Sequence, residues 1–202
     1  MLTFPEKSKI ISILILSGRA DNFAQICLPS CVFWRDCTLK KAAVIMGSDS
    51  DLPIVEKAIH TLKEFGVPTE VHVFSAHRTP EEARAFAMSA RQEGFGAILA
   101  AAGKAAHLAG AIAANTTLPV IGIPVKSSTL DGIDALLSTV QMPSGIPVAT
   151  VAIDGAVNAA LLAVEILSVS DPALGKALDE RRRADTEKVL EKNRKIEQQF
   201  NA

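Results

Sequence analysis

The chain has 202 residues, 49% hydrophobic and 21% charged, enough to bury one good core. Lys and Arg number 21 against 22 Asp and Glu, a near-neutral balance that gives no general attraction to nucleic acid or an anionic membrane, so any bound phosphate must be held locally. No apolar run approaches the roughly 18 to 20 residues that span a bilayer, so no membrane partner is expected.

Residues 1–38 differ from the rest, for they hold all three cysteines (Cys27, Cys31, Cys37) and the single tryptophan, Trp34. They are expected to be a poorly ordered N-terminal extension, or upstream sequence included by a misplaced start. Lys7 and Lys9 precede an apolar run at 10–16 as in a secretory leader. That run is at the short limit, and Ser17-Gly18-Arg19-Ala20 is a poor cleavage site, so a cytoplasmic protein is expected. The odd cysteine count and the C-x3-C-x5-C spacing argue against a disulfide framework or a zinc site and for unpaired thiols.

From Lys41 onward, short apolar β-type runs alternate with amphipathic stretches, as in a parallel sheet covered by helices. Strands are expected at 42–46, 69–74, 97–101, 120–123 and 148–153. A first helix should run over 51–65 and stop at Gly66, with Pro68 beyond it. A second should start at Thr79-Pro80-Glu81-Glu82, with Thr79 as the cap and Glu82 reaching back to the cap amide. Residues 105–114 read as a small, closely packed helix, and 154–167 as an Ala- and Leu-rich helix with protein on both sides, a hint of an oligomer. The stretch 171–199 is dense in charge with a sparse apolar line (Leu174, Leu178, Val189, Leu190, Ile196), which suits an arm or solvated tail better than a core helix.

In open parallel sheets ligands bind beyond the carboxyl ends of the strands, so those loops are the place to look for chemistry. The first strand ends in Met46-Gly47-Ser48-Asp49-Ser50-Asp51, where Ser48, Ser50 and helix-start amides suit a phosphate and Asp51 suits a ribose hydroxyl. The same pattern is also an ordinary helix cap. The second ends in Ser75-Ala76-His77-Arg78-Thr79-Pro80; with Thr79 assigned to capping, Ser75, His77 and Arg78 have no structural task visible in the sequence. Arg78 is a fork of donors suited to phosphate, and His77 can exchange a proton near neutral pH. The third ends in Ala101-Ala102-Gly103-Lys104, whose small residues let backbone approach a flat ligand, with His107 about one turn into the next helix. A His among alanines is as readily a hydrogen-bonded packing residue. His60 and His72 look structural, and no His, Cys, Asp and Glu grouping has metal spacing. Two donor-rich stretches, 124–132 and 138–147, read as long functional loops.

Taken in order, GSDSD at 47–51, SAHRTP at 75–80, AAHLAG at 105–110, LLSTVQMPSGIPV at 136–148 and NAALLAVEIL at 158–167 resemble the class I carboxyaminoimidazole ribonucleotide mutase family of bacterial purine synthesis. The resemblance covers residues 41–198. It implies an α/β fold of three αβα layers, a flavodoxin-like parallel sheet of about five strands at 39–169, with a C-terminal helical arm at 170–202. It implies reversible migration of a carboxylate from the exocyclic nitrogen of the imidazole to ring carbon 4, with no metal or cofactor. By position, His77 would be the general acid and base, and Ser48, Asp51, Ser75 and Arg78 would bind ribose and phosphate. Ala102 and Gly103 would line the base and carboxylate pocket, with His107 beside it, in a homo-octamer. The family commonly has a second glycine at Lys104 and a proline at Ala109. Lys104 either adds affinity near the carboxylate or points to solvent, and it raises the alternative of a carboxylase that takes dissolved carbon dioxide. A non-catalytic flavodoxin-like nucleotide-binding domain is a second alternative; a flavin reader would want aromatic residues, and the chain has no tyrosine.

Overall fold

The computed structural model describes residues 39–128 and 130–201, so the expected N-terminal extension with its cysteines lies outside the described residues. Five strands, β1 (Lys41–Met46), β2 (Thr69–Val73), β3 (Phe95–Gly103), β4 (Val120–Val125) and β5 (Ala149–Thr150), form one sheet. Every pairing is parallel, and the order is β2-β1-β3-β4-β5. Among the described residues the helices are α1 (Leu52–Glu64), α2 (Pro80–Ser89), α3 (Leu108–Ala113), α4 (Ile133–Val140), α5 (Ala156–Ser168) and α6 (Pro172–Phe200).

The three layers follow from the alternation of side chains along each strand. Ala42, Val44 and Met46 of β1 point to one face, where they share a core with Val55 and Leu62 of α1 and Ala160 and Val164 of α5. Ala43 and Ile45 point to the other, where they meet Ala83 and Ala87 of α2 and Leu108 and Ile112 of α3. A central strand therefore has to be apolar at every position, and β4 is buried throughout. On the second face α4 packs on β4 so closely that a Cβ on Gly122 would stand 2.3 Å from the Thr139 methyl.

The expected helix stop is present. Gly66 takes φ 69°, its amide bonds the Lys63 carbonyl at 2.9 Å and the Val67 amide bonds that of Leu62 at 3.0 Å, closing α1 before Pro68. Four expectations change. The fifth strand keeps only two residues in register with β4, at Ala149 and Thr150. Pro124 has no N–H to give on the side facing β5, and its carbonyl is met by the Asp154 amide (2.9 Å) after the chain has left the ladder. The helix expected over 105–114 starts only at Leu108, because Lys104 adopts φ 57° and turns the chain first. Residues 133–140, whose last three positions read as loop in the sequence, form α4. Finally α6 is no mere arm at its start: Asp171 caps it by accepting from the Ala173 and Leu174 amides, and Leu174 and Leu178 are buried in the α1/α5 core. Beyond that, Val189, Leu190 and Ile196 are exposed.

Candidate functional site

The loops after β1, β2, β3 and β4 enclose a cleft of about 670 Å³ beyond the carboxyl ends of the strands, over the β1/β3 boundary where the strand order reverses. The first loop is held rigid from within. Ser48 accepts from the Ser50 amide at 3.3 Å while its own amide donates to Asp51 Oδ2 at 3.2 Å, a reciprocal cap at the Asp49–Asp51 turn that leads into α1. Asp51 is only 8% exposed yet borders the cleft. Burial pushes its carboxyl above the usual aspartate range; the Ser48 amide pulls the other way, Asp49 adds to the rise, and Ser50 lowers it.

The second loop corrects the assignment of Thr79 as a side-chain cap. Its hydroxyl makes no capping bond to α2; it accepts from the Ser75 amide at 2.8 Å and donates to the Ser75 carbonyl at 3.3 Å. Ser75 Oγ in turn accepts from the Arg78 amide at 3.2 Å, so Ser75 has a structural task that its sequence context concealed. The turn that results presents His77 and Arg78 outward into the cleft. Arg78 Nη2 donates to the Gly47 carbonyl at 3.2 Å and so ties the second loop to the first.

The floor is Ala102 and Gly103 at the end of β3. A side chain on Gly103 would press on the Val125 carbonyl, 3.3 Å from the Cβ position, so the small residue keeps β3 and β4 close at the floor. His107 is not a turn inside the helix but its N-cap residue. Its Nδ1 lies 3.4 Å from the Ser138 carbonyl of α4 and its ring covers Gly110, so it borders the cleft and packs at once. The Ala106 amide donates to Ser138 Oγ at 3.0 Å, and Thr139 donates to the Ala106 carbonyl at 3.1 Å; α4 therefore braces the third loop from behind.

All eight residues picked out in the sequence (Ser48, Asp51, Ser75, His77, Arg78, Ala102, Gly103 and His107) line this one cleft. His60 and His72 lie elsewhere, the first exposed on α1 and the second stacked on Phe74. Lys126 and Ser127, absent from that set, also line the cleft at the end of β4. Their only signal was position, at a strand end in a donor-rich stretch. Lys126 donates its amide to Asp154 at 2.9 Å and pairs its ammonium with Asp131 at 3.0 Å, and that bond holds its pKa above the usual lysine value. The cleft thus offers Arg78, Lys104 and Lys126 as cations against the buried Asp51, a lining suited to an anionic ligand with hydroxyl groups. Among the described residues no three His, Cys, Asp or Glu side chains are grouped as a metal ion would need, and no helix is long and apolar enough to cross a membrane.

Residues 41–188 match the family model described as AIR carboxylase. The N5-carboxyaminoimidazole ribonucleotide mutase of Pyrococcus horikoshii is 55% identical over 155 residues, covering 77% of this chain and 88% of that protein. The phosphoribosylaminoimidazole carboxylase of Saccharomyces cerevisiae is 48% identical over 182 residues, 90% of this chain but 32% of that longer protein. Among solved structures, Treponema denticola PurE superposes with a TM-score of 0.69 at 29% identity, covering 77% of this chain and 97% of that one.

Proposed function

The chain belongs to the AIR carboxylase family, and from that footing we propose that it interconverts N5-carboxyaminoimidazole ribonucleotide and 4-carboxy-5-aminoimidazole ribonucleotide in purine biosynthesis, with His77 moving the protons. It is an enzyme of the mutase class, as its relatives from Pyrococcus horikoshii and Thermotoga maritima are named. The observation that carries the residue roles is the convergence of His77, Arg78, Ser48 and the Ala102-Gly103 floor on a single cleft.

The chemistry assigns a task to each wall. Arg78, with Ser48 and Ser75, meets the phosphate, and Asp51 accepts from a ribose hydroxyl. The imidazole ring lies on the Ala102-Gly103 floor, where the largest side chain is a methyl. His77 donates a proton to the carbamate nitrogen; the carbon–nitrogen bond breaks and carbon dioxide leaves the freed amine. Ring carbon 4 then attacks the trapped carbon dioxide, forming the new carbon–carbon bond, and gives up its hydrogen as a proton to His77. One proton is lent and one returned, so a single residue suffices. Positioned proton transfer of this kind contributes on the order of 100- to 10,000-fold.

The test is to supply N5-carboxyaminoimidazole ribonucleotide without ATP or added bicarbonate and to look for the carbon-carboxylated product. Product formed only from the decarboxylated ribonucleotide plus bicarbonate would favour direct carboxylation instead. The similarity to the yeast protein named a carboxylase keeps that second reaction worth measuring.

A homo-octamer in the cytoplasm completes the proposal. Its support is apolar surface that a lone chain leaves in water: Ile133, Leu137 and Val140 lie along one face of α4, each about half exposed, and Val189, Ile196 and Phe200 are exposed along α6.

A further inference from the structure

Lys104 sits in the cleft in a backbone conformation that a side chain disfavours. Its φ of 57° lies in the left-handed region, which costs a residue with a Cβ roughly 1–2 kcal/mol and which glycine adopts freely. The conformation is imposed by its neighbours: the Lys104 carbonyl accepts from the Ala106 amide at 2.7 Å and from Ser138 Oγ at 3.4 Å, turning the chain from the floor toward His107. A side chain kept where glycine would be easier is a reason to ask what it does.

The other two cations of the cleft are engaged. Lys126 is paired with Asp131, and Arg78 donates to the Gly47 carbonyl. Among the described residues the Lys104 ammonium has neither an ion-pair nor a hydrogen-bond partner, and the residue, exposed and directly after Gly103, is one of those that line the cleft. The proposed substrate and product each carry a phosphate and, at the opposite end, a carboxylate. Arg78 lies with Ser48 and Ser75 on the side assigned to the phosphate, which leaves the carboxylate end, over the floor, facing Lys104.

We infer that Lys104 is a specificity determinant of this chain, its ammonium pairing with the carboxylate of the bound ribonucleotide. This role rests on the mutase reading. A cation beside the carboxylate stabilises the two carboxylated ends of the reaction more than the intermediate state, in which the carboxylate has become neutral carbon dioxide. The lysine therefore tightens binding without speeding the chemical step.

Binding and turnover separate the two ideas. Lys104→Met keeps the strained Cβ and most of the stem but loses the charge; Lys104→Arg keeps the charge; Lys104→Gly loses charge and strain together. Titration calorimetry of each with the carboxylated product and with the decarboxylated aminoimidazole ribonucleotide is the measurement. For Lys104→Met and Lys104→Gly, Kd for the carboxylated ligand should rise about fivefold to twentyfold at low ionic strength, as for a partly exposed charge pair, and the difference should close toward molar salt. Kd for the decarboxylated ligand should stay within about twofold of the parent, and Lys104→Arg should retain most of the preference. Equal weakening of both ligands by Lys104→Met, or no weakening of either, overturns the inference, as does a parent protein that binds neither. A parent that binds the carboxylated ligand preferentially through Lys104 yet fails to interconvert it would instead overturn the mutase reading and leave the lysine's role standing.

Discussion

Nothing among the described residues holds the His77 ring, so both of its nitrogens remain open to a ligand, while its backbone is fixed by the bonds between Ser75, Arg78 and Thr79. Position without side-chain engagement is what a proton carrier needs. His77→Asn keeps a polar side chain in that turn but cannot shuttle a proton near neutral pH. Turnover should fall by on the order of 100- to 10,000-fold with ribonucleotide affinity nearly intact, read by steady-state kinetics beside calorimetry; affinity lost in proportion to rate would make His77 a binding residue instead. Asp51 makes a prediction about stability. Its folded-state pKa is raised, so the burial penalty is absent at acid pH, where folded and unfolded chains are both protonated, and is complete once the pH exceeds the raised value. Asp51→Asn keeps an oxygen that can accept from the Ser48 amide and carries no charge at any pH. Its melting temperature relative to the parent should therefore rise between acid and neutral pH, while ribonucleotide binding weakens; a melting difference that falls over that range would show that the carboxylate is stabilising as an anion. At this scale the sequence disclosed which residue types gathered at strand ends, because strand ends and turns are local patterns. It did not disclose that Thr79 serves Ser75 and not α2, because that choice depends on a turn geometry that any cap sequence can adopt.

At the scale of elements, the strands and α1 were legible because their signals are local and punctuated: unbroken apolar runs that are buried on both faces in β1 and β4, and a glycine with positive φ ending α1. The element missed, α4, follows a glycine at φ 91° and carries Ser138 and Thr139, polar residues that read as loop donors. Their hydroxyls instead bond back to carbonyls one turn earlier, Ser138 to Asp134 at 2.8 Å and Thr139 to Ala135 at 2.7 Å, and Thr139 also reaches the third loop. The distinction between a loop donor and a helix-braced one is tertiary, so no local pattern reveals it. Because α4 lies against β4 through Gly122, that contact can be tested directly. Gly122→Ala places a methyl 2.3 Å from the Thr139 methyl carbon and 3.0 Å from that of Val148, with β4 packed on both sides and unable to yield. Chemical denaturation should show a loss of about 1–3 kcal/mol. The adjacent double variant Gly122→Ala with Thr139→Ser, which removes the clashing methyl and keeps the hydroxyl, should recover much of that loss. Failure of the double variant to recover would place the strain in β4 itself.

For the whole molecule, the same helix that braces the cleft from within turns an apolar edge outward, with Ile133 49%, Leu137 51% and Val140 47% exposed at helical spacing. The inner face of α4, with Ala135 and Thr139 buried, accounts for its packing on its own chain, and the outer positions are left about half exposed. An apolar stripe of this kind is unfavourable in water and becomes favourable when buried, at about 25 cal/mol for each Å² covered. If that stripe is the subunit contact of the proposed octamer, assembly and catalysis are linked through one element, since Ser138 and Thr139 on α4 hold the Ala106 backbone beside His107. Leu137→Glu should then split the assembly into smaller species in sedimentation velocity while leaving the circular dichroism of the fold unchanged. Activity should drop with the sedimentation coefficient across protein concentration, because loss of the outer support loosens the third loop. An unchanged sedimentation coefficient would move the contact away from α4, toward the exposed apolar line of α6. Dissociation with full activity would uncouple the cleft from assembly and leave the brace on Ala106 a property of the single chain.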